Sequence, residues 1–378
     1  MKEIPFASHP VIGNDLEYTL RSSLLGKGQN KNYSEKVEQI IEEQLELKNK
    51  RVLLTTSCTH ALEICAILMN FKKGDEVIIP SYTFVSTALA FQMHSAKVVF
   101  CDSKFDNFNI DEDKIERLIN KKTKAIIVVH YGGIACEMDK IMRIAEKNNL
   151  IVIEDNAHGL YAKYKNRYLG SIGHLSTLSF HSTKNLSCGE GGALIVNDNS
   201  FLERAHIIRD KGTNRKKFNE KKINKYKWID KGSSYVISEF LSSILIKQLK
   251  YSNNIQNKRK KIWNRYNSQL KKWALTKKVK LQKIPYYCDQ SYHMFYLFFQ
   301  SKLKRDNFLE YLNKNSIKAT THYEPLHLSP FAKKNIDNKN KIISATKISR
   351  GIVRLPLSYN MSDFQVQYII DKILKYDD

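Results

Sequence analysis

The sequence predicts an α/β protein built around a mostly parallel sheet, and three observations support this class. From residue 51 onward, short apolar runs alternate with helical stretches, which is typical of successive strand and helix units. The runs RVLLTT, EVIIP, AKVVFCD, KAIIVVHY and LIVIED are mainly apolar, as strands are when helices cover both faces of a parallel sheet. The chain has 378 residues, 42% of them hydrophobic, so it can form a large core and roughly two domains.

The C-terminal part of the sequence predicts a second, smaller domain. Two further strands, LSTLSF and GALIV, follow the alternating region and are separated by a glycine-rich turn. A helix from about Ser238 leads into a long polar helical stretch, and a strand (MFYLFFQ), a helix near 305–314 and an amphipathic helix (FQVQYIIDKILKY) follow. We predict a large α/β domain over 1–245, and a connector helix with a small α+β domain over 246–378.

Charge, cysteine spacing and hydropathy argue against several classes of protein. The net charge is +24, but the lysines are spread along the chain without an arginine-rich stripe or RNA-binding motif. This pattern favours a solvated surface with a bias toward diphosphate-like ligands over a nucleic-acid partner. The six cysteines lack zinc-site or C-x-x-C spacing, so we predict no metal site. No apolar run approaches the roughly 20 residues that span a bilayer, and we predict a cytoplasmic protein without a membrane partner.

Polar and aromatic residues follow the predicted strands at 55–59, 81–84, 130–133 and 155–158. In parallel α/β sheets ligands bind beyond the carboxyl ends of the strands. Ser57, Cys58 and Thr59 begin a helix, where hydroxyl groups and free backbone N–H groups suit a phosphate. Helix capping by Ser57 or Thr59 would produce the same pattern.

Two later residues indicate cofactor chemistry. Asp155 ends the run IVIED, and a carboxylate there could pair with the pyridine nitrogen of pyridoxal phosphate (PLP), although it could also cap a helix. Lys184 follows the strand LSTLSF and precedes the glycine-rich turn. A lysine in a partly desolvated cleft loses proton affinity and becomes a nucleophile. Its position after the acidic strand end separates Lys184 from the many other lysines.

The order of nine segments then indicates a family. These are GDEVIIPSYTFVSTA, VHYGG-ACEMD, IGH-SFH-TKN, GEGG, KGTNR, GSSY, HMFY, HY-PLH and RLPLSYN. In these segments, over nearly its whole length, the chain resembles the DegT-type nucleotide-sugar aminotransferases. The resemblance implies the aspartate-aminotransferase-like fold of PLP-dependent transferases of fold type I.

The same resemblance implies roles for the cofactor-binding residues. Lys184 would be the Schiff-base lysine, Asp155 would pair with the pyridine nitrogen, and His158 would approach the phenolic oxygen. Phe84 would stack on the ring, although the residue pattern alone equally suits a core phenylalanine. The phosphate would be bound by Ser57, Cys58, Thr59 and Ser179, and in a homodimer with shared active sites by Ser233 and Ser234 of the other subunit.

Substrate contacts are implied in two further segments. Asn214 lies in KGTNR, which the residues alone describe only as a solvated loop. His322, Tyr323 and His327 lie in HY-PLH, which the resemblance places near the sugar and amino-donor site and which by itself is only a candidate anion contact.

The implied reaction moves an amino group from L-glutamate to a nucleotide-linked keto-sugar. The implied substrate is dTDP-4-keto-6-deoxy-D-glucose, converted to the 4-amino sugar of galactose configuration for a cell-surface glycan. Alternatives are a keto-sugar aminated at another carbon or carried by GDP or UDP, a sugar dehydratase, and a basic nucleic-acid-binding regulator. Lys184 argues against the dehydratase, in which a histidine replaces the lysine.

Overall fold

The computed structural model describes residues 3–8, 10, 32–48, 51–338 and 340–377. In chain order the strands are β1 (Val52–Thr55), β2 (Glu76–Pro80), β3 (Lys97–Cys101), β4 (Thr123–Val129), β5 (Ile151–Asp155), β6 (Lys163–Tyr164), β7 (Arg167–Tyr168), β8 (Leu175–Ser179), β9 (Gly192–Val196), β10 (Lys280–Leu281), β11 (Cys288–Asp289), β12 (Phe295–Phe298) and β13 (Ile352–Leu355). The α-helices are α1 (Tyr33–Gln44), α2 (Cys58–Met69), α3 (Ser86–Met93), α4 (Glu112–Ile115), α5 (Met138–Lys147), α6 (Leu202–Arg209), α7 (Arg215–Asn219), α8 (Glu239–Lys250), α9 (Ser252–Thr276), α10 (Lys302–Lys314), α11 (Pro330–Asn335), α12 (Ser344–Gly351) and α13 (Asp363–Leu374).

A seven-stranded sheet in the order β1-β9-β8-β5-β4-β2-β3 forms the centre of the chain. Pairs among β2, β3, β4, β5 and β8 are parallel, and β9 is antiparallel to both of its neighbours. Residues 180–191 connect β8 to β9 and contain no helix, so this connection is not a helical crossover of the kind that joins parallel strands. The α/β prediction is confirmed, and each predicted apolar run in this region overlaps an observed strand.

The smaller part of the chain is built on an antiparallel sheet in the order β10-β12-β13. Helices α9, α10 and α13 pack on it through a buried cluster that includes Tyr266, Phe295, Phe308 and Ile369. The predicted helix start at Ser238 is confirmed, because Ser238 is the N-cap of α8. The predicted domain boundary at 245/246 falls inside α8, and the division into two domains stays a prediction.

One carboxylate fixes the smaller part over the carboxyl edge of the large sheet. Asp102 follows β3 and accepts hydrogen bonds from the backbone N–H groups of Ile343, Ser344 and Ala345 at 2.9–3.1 Å. These groups lie at the start of α12, where a carboxylate also complements the helix dipole. Because β13 follows α12 directly, this contact positions β13 beside the strand ends of the large sheet. No helix in the described ranges is both long and apolar enough to cross a membrane.

Candidate active site

A cavity of about 470 Å³ lies at the carboxyl ends of the parallel strands, between the large sheet and β13. It gathers the residues that follow four strands of the sheet, as expected for a parallel α/β architecture. Ten of the residues predicted from the sequence line it: Ser57, Cys58, Thr59, Phe84, Asp155, His158, Ser179, Lys184, His322 and Tyr323.

Lys184 lies in the turn between β8 and β9, where its backbone N–H donates to the carbonyl of His181 at 2.9 Å. The side chain is half-buried at the wall of the cavity. Desolvation lowers the pKa of its amine to about 8; Cys58 and Asp155 oppose this shift, and the charge of Arg354 adds to it. A substantial fraction of the amine is therefore neutral near physiological pH, as a nucleophilic lysine requires.

Asp155 is buried at the end of β5 and is held by two donors. The Thr87 hydroxyl donates to Oδ2 at 2.7 Å, and the N–H of Ala157 donates to Oδ1 at 3.3 Å. Since Thr87 gives its proton to the carboxylate, the Thr83 hydroxyl, 2.8 Å from that of Thr87, acts as the donor between the two. Burial nevertheless raises the pKa of Asp155. A cationic group beside this carboxylate would therefore be strongly favoured.

The start of α2 forms one end of the cavity. Ser57 is the N-cap and accepts from the N–H of His60 at 3.1 Å, and the first backbone N–H groups of any helix lack intrahelical acceptors. Gly192 at the start of β9 lies so close that a Cβ there would be 2.3 Å from the carbonyl carbon of Ser57. Burial raises the pKa of the Cys58 thiol to about 12, so it adds no negative charge. The site suits an anion.

His158 is a neutral imidazole with a defined tautomer. Burial, followed by the charge of Lys184, holds its pKa well below the usual range. Its Nδ1 accepts the backbone N–H of Gly132 at 3.3 Å. Gly132 has φ +66°, which glycine adopts without strain. Because Nδ1 accepts, Nε2 carries the proton, so His158 presents one N–H donor to any neighbouring acceptor.

Arg354, which was not predicted as a site residue, is buried at the cavity wall and has no counter-ion among the described residues. Its Nη1 donates to Nε2 of His322, and its guanidinium lies 4.5 Å from the ring centroid of Phe6. Its buried Nε has no hydrogen-bond partner among the described residues, and no carboxylate in that part of the chain pairs with it. A guanidinium stays protonated even though burial lowers its pKa. An arginine inside the apolar strand IVRL is the sequence signal that could have identified it.

His322 is locked by two neighbours. A guanidinium can only donate, so Nε2 of His322 accepts from Arg354, and Nδ1 then donates to the Tyr131 hydroxyl at 3.1 Å. Burial and the charge of Arg354 hold the pKa of His322 far below its usual range. His322 therefore holds Arg354 in place by a hydrogen bond without adding positive charge.

Four predicted site residues lie outside this cavity. Ser233 and Ser234 are exposed, and Asn214 accepts the backbone N–H of Lys227 at 2.7 Å beside a separate cavity of about 320 Å³. His327 contacts the hydroxyls of Ser81 at 2.6 Å and Thr346 at 3.3 Å. A single chain does not bring these four residues to Lys184, and the roles predicted for them stay predictions.

Comparison with known proteins gives consistent matches over most of the chain. The sequence profile of the DegT/DnrJ/EryC1/StrS aminotransferase family matches residues 12–374. A dTDP-3-amino-3,6-dideoxy-alpha-D-galactopyranose transaminase of Aneurinibacillus thermoaerophilus is 31% identical, covering 80% of this chain and 79% of its own length. A GDP-perosamine synthase of Escherichia coli O157:H7 is 27% identical, and the match covers 100% of this chain and 99% of the length of that protein. The PLP form of the putative sugar aminotransferase Spr1654 from Streptococcus pneumoniae shares the fold, with a TM-score of 0.88 at 24% identity, covering 98% and 97%.

Proposed function

The chain belongs to the DegT/DnrJ/EryC1/StrS aminotransferase family, and from this premise we propose that it aminates dTDP-4-keto-6-deoxy-D-glucose with L-glutamate as the donor. It is a PLP-dependent nucleotide-sugar aminotransferase. The finer assignment rests on the nine segments, which resemble those of dTDP-4-amino-4,6-dideoxygalactose transaminase. The product is then dTDP-4-amino-4,6-dideoxy-D-galactose. We further propose that the enzyme works in the cytoplasm and supplies cell-surface glycan synthesis.

The residues in the cavity fit PLP. The observation that carries the proposal is that one cavity joins an amine with a pKa of about 8, a buried carboxylate that forms no ion pair among the described residues, and a helix start on which Gly192 packs closely. These match the aldehyde, the ring nitrogen and the phosphate of the cofactor. When bound, PLP supplies an electron sink for the carbon that carries the amino group.

Each protein group then has a defined task. Lys184 would hold the cofactor and would then carry a proton to and from the reacting carbon, since its lowered pKa allows both directions near neutral pH. Asp155 would hold the proton on the ring nitrogen, and the Thr87 hydroxyl keeps the carboxylate in place. His158 would donate a hydrogen bond from Nε2 to the ring oxygen, and Ser57, Thr59 and Ser179 would bind the phosphate.

Arg354 supports an amino acid as the donor. Its guanidinium is buried at the cavity wall, has an unsatisfied Nε and lacks an acidic partner among the described residues. A carboxylate is the natural ligand of such a group, because it accepts paired N–H donors and supplies the missing charge. We propose that Arg354 binds a carboxylate of L-glutamate, with Phe6 holding the plane of the guanidinium and His322 supporting its edge.

The nature of the keto-sugar has one serious alternative. The names of the two relatives concern a GDP-linked sugar and a 3-amino sugar on dTDP, so another carrier or another carbon is the second candidate. Incubation of the purified enzyme with glutamate and a panel of dTDP-, GDP- and UDP-linked keto-sugars, with NMR of each product, separates these. A 4-amino product from the dTDP substrate is expected. Its absence would refute the assignment.

A homodimer with shared sites is also proposed. Phe84, at the mouth of the cavity, is 56% exposed, and Met93 on α3 is 59% exposed, with Val85 and Leu89 also exposed between them. Such an apolar strip on a helix is typical of a surface that another chain covers. The exposed Ser233 and Ser234 could then reach the phosphate of the other subunit.

The cofactor assignment is tested by Lys184→Ala. Borohydride treatment of the wild-type protein with PLP should leave a stable label on the peptide that contains Lys184. The variant should lose the label and the transamination, whereas the exposed control Lys124→Ala should keep both. A label that persists in Lys184→Ala would show that another lysine anchors the cofactor.

A further inference from the structure

His158 and His293 form a buried stack of two imidazoles at the wall of the active-site cavity. Their ring centroids are 4.3 Å apart and the planes differ by 17°. Burial, followed by the charge of Lys184, holds the pKa of both groups well below the usual range. Both rings are therefore neutral, so they can stack closely without charge repulsion.

The orientation of His293 is set by Asn185, the residue after Lys184. The Asn185 side-chain amide donates to Oε1 of Gln256 at 2.9 Å and to the carbonyl of Ser291 at 2.8 Å. Its oxygen lies 2.9 Å from Nδ1 of His293. Since an amide oxygen only accepts, Nδ1 of His293 carries the proton and donates. The opposite orientation of Asn185 would point its oxygen at two acceptors, so this network has one consistent assignment.

His158, in contrast, is held weakly by hydrogen bonds. The contact with the N–H of Gly132 is long, at 3.3 Å, and is the one hydrogen bond to the His158 ring in the described part of the chain. Its remaining ring contacts are with Tyr131, at a centroid distance of 6.0 Å, and with His322, at 6.3 Å. The stacked ring of His293 is the nearest of the three aromatic neighbours. The plane of His158 therefore depends mainly on His293.

We propose that His293 is a positioning residue that fixes the plane of His158 and so aims its Nε2–H at the ring oxygen of the bound cofactor. This inference rests on the proposed function. The chain of contacts runs from Asn185 through His293 to His158, and it begins at the residue next to Lys184. One network of contacts thus fixes the position of His158 relative to Lys184.

The experiment follows the absorbance of the PLP-bound protein against pH. An N–H donor stabilises the ring oxygen in its unprotonated form, so a well-aimed His158 keeps the pH midpoint of the absorbance change low. His293→Ala removes both the stack and the bond to Asn185, and its midpoint should rise by about half to one pH unit, as expected for the loss of one hydrogen bond. His293→Phe keeps a stacked ring, so its pH midpoint should rise by less. His94→Ala, a histidine outside the cavity, is the matched control and should leave the midpoint unchanged.

The outcomes separate this inference from the proposed function. A normal absorbance band with the same midpoint in wild type, His293→Ala and His293→Phe would overturn the positioning role alone. If His293→Ala does not fold, Asn185→Ala, which removes the bond that orients His293, provides the decision, and an unmoved midpoint in that variant would overturn the positioning role. A wild-type protein with neither the band nor a borohydride label at Lys184 would overturn the proposed function itself.

Discussion

Replacing Thr87 with valine should weaken the hold on Asp155 while keeping the shape of the buried side chain. The Thr87 hydroxyl donates to the carboxylate at 2.7 Å, and the remaining donor, the N–H of Ala157, is more distant at 3.3 Å. Both Thr87 and Asp155 are buried, so water cannot easily take the place of the lost hydroxyl. A hydrogen bond to a charged group contributes about 1.5–3 kcal/mol.

That energy can be converted into a pH shift. Burial already raises the pKa of Asp155, and the Thr87 hydroxyl opposes the rise, so its removal moves the pKa further upward. With about 1.4 kcal/mol per pH unit, the expected shift is about one to two units. The acidic limb of kcat/KM should move to higher pH by this amount. The dissociation constant of PLP should rise on the acidic side, by up to about ten- to hundredfold, because there the carboxylate of the variant is protonated while that of the wild type is still charged and can hold the ring nitrogen.

The assay is a titration of cofactor-free protein with PLP, followed by absorbance, together with pH profiles of transamination. Thr87→Ser keeps the hydroxyl and should stay close to wild type. Thr83→Val removes a hydroxyl one step further from the carboxylate and should have a smaller effect than Thr87→Val. If Thr87→Val binds PLP within twofold of wild type and its acidic limb does not move, the hydroxyl does not support Asp155.

Three further predictions concern other groups. In cofactor-free protein, the rate of acylation of Lys184, followed by peptide mass spectrometry, should rise through about pH 8, because burial lowers the pKa of its amine to that value. A rate that rises only above about pH 10 would indicate an ordinary lysine and contradict this prediction. Glu154→Gln should lower the free energy of unfolding in urea by about 3 kcal/mol or more, because the buried carboxylate accepts from His130 and from three backbone N–H groups. Although burial alone would raise the pKa of Glu154, these donors hold it below its usual value. The carboxylate therefore stabilises the fold at neutral pH, and this stabilisation is lost as the pH falls below the usual value and through the lowered pKa. A mutational loss of equal size at neutral and strongly acidic pH would contradict this account. Met93→Glu should convert a dimer into a monomer in size-exclusion chromatography while the exposed control Lys124→Glu does not, and an unchanged dimer would exclude this face of α3 as the interface.

Much of the large sheet could be predicted because its strands are short, apolar and separated by helices. EVIIP and GALIV correspond residue for residue to β2 and β9. The direction of β9 was not predicted, since an apolar run looks the same in either direction. The structure shows the direction, since residues 180–191 form turns and bends instead of a crossover helix.

The site residues divide in the same way. Lys184 and Asp155 could be found because Asp155 ends one predicted strand and Lys184 follows another, and Lys184 also lies in a segment typical of the family. Thr87, His293 and Arg354 were missed as site residues because their roles depend on partners distant in the chain. Thr87 lies 68 residues from Asp155, and His293 lies 108 residues from Asn185.

The sequence by itself therefore determined the fold class, the strand positions, the family and the lysine with its acidic partner. The tertiary structure decided which groups are charged and which of them have hydrogen-bond partners or counter-ions. Burial and the spacing of distant side chains lower the pKa of Lys184 to about 8, fix the tautomers of His158 and His322, and leave Arg354 without an anion among the described residues. These properties arise from desolvation and from distances across the fold, which local patterns of residues do not encode.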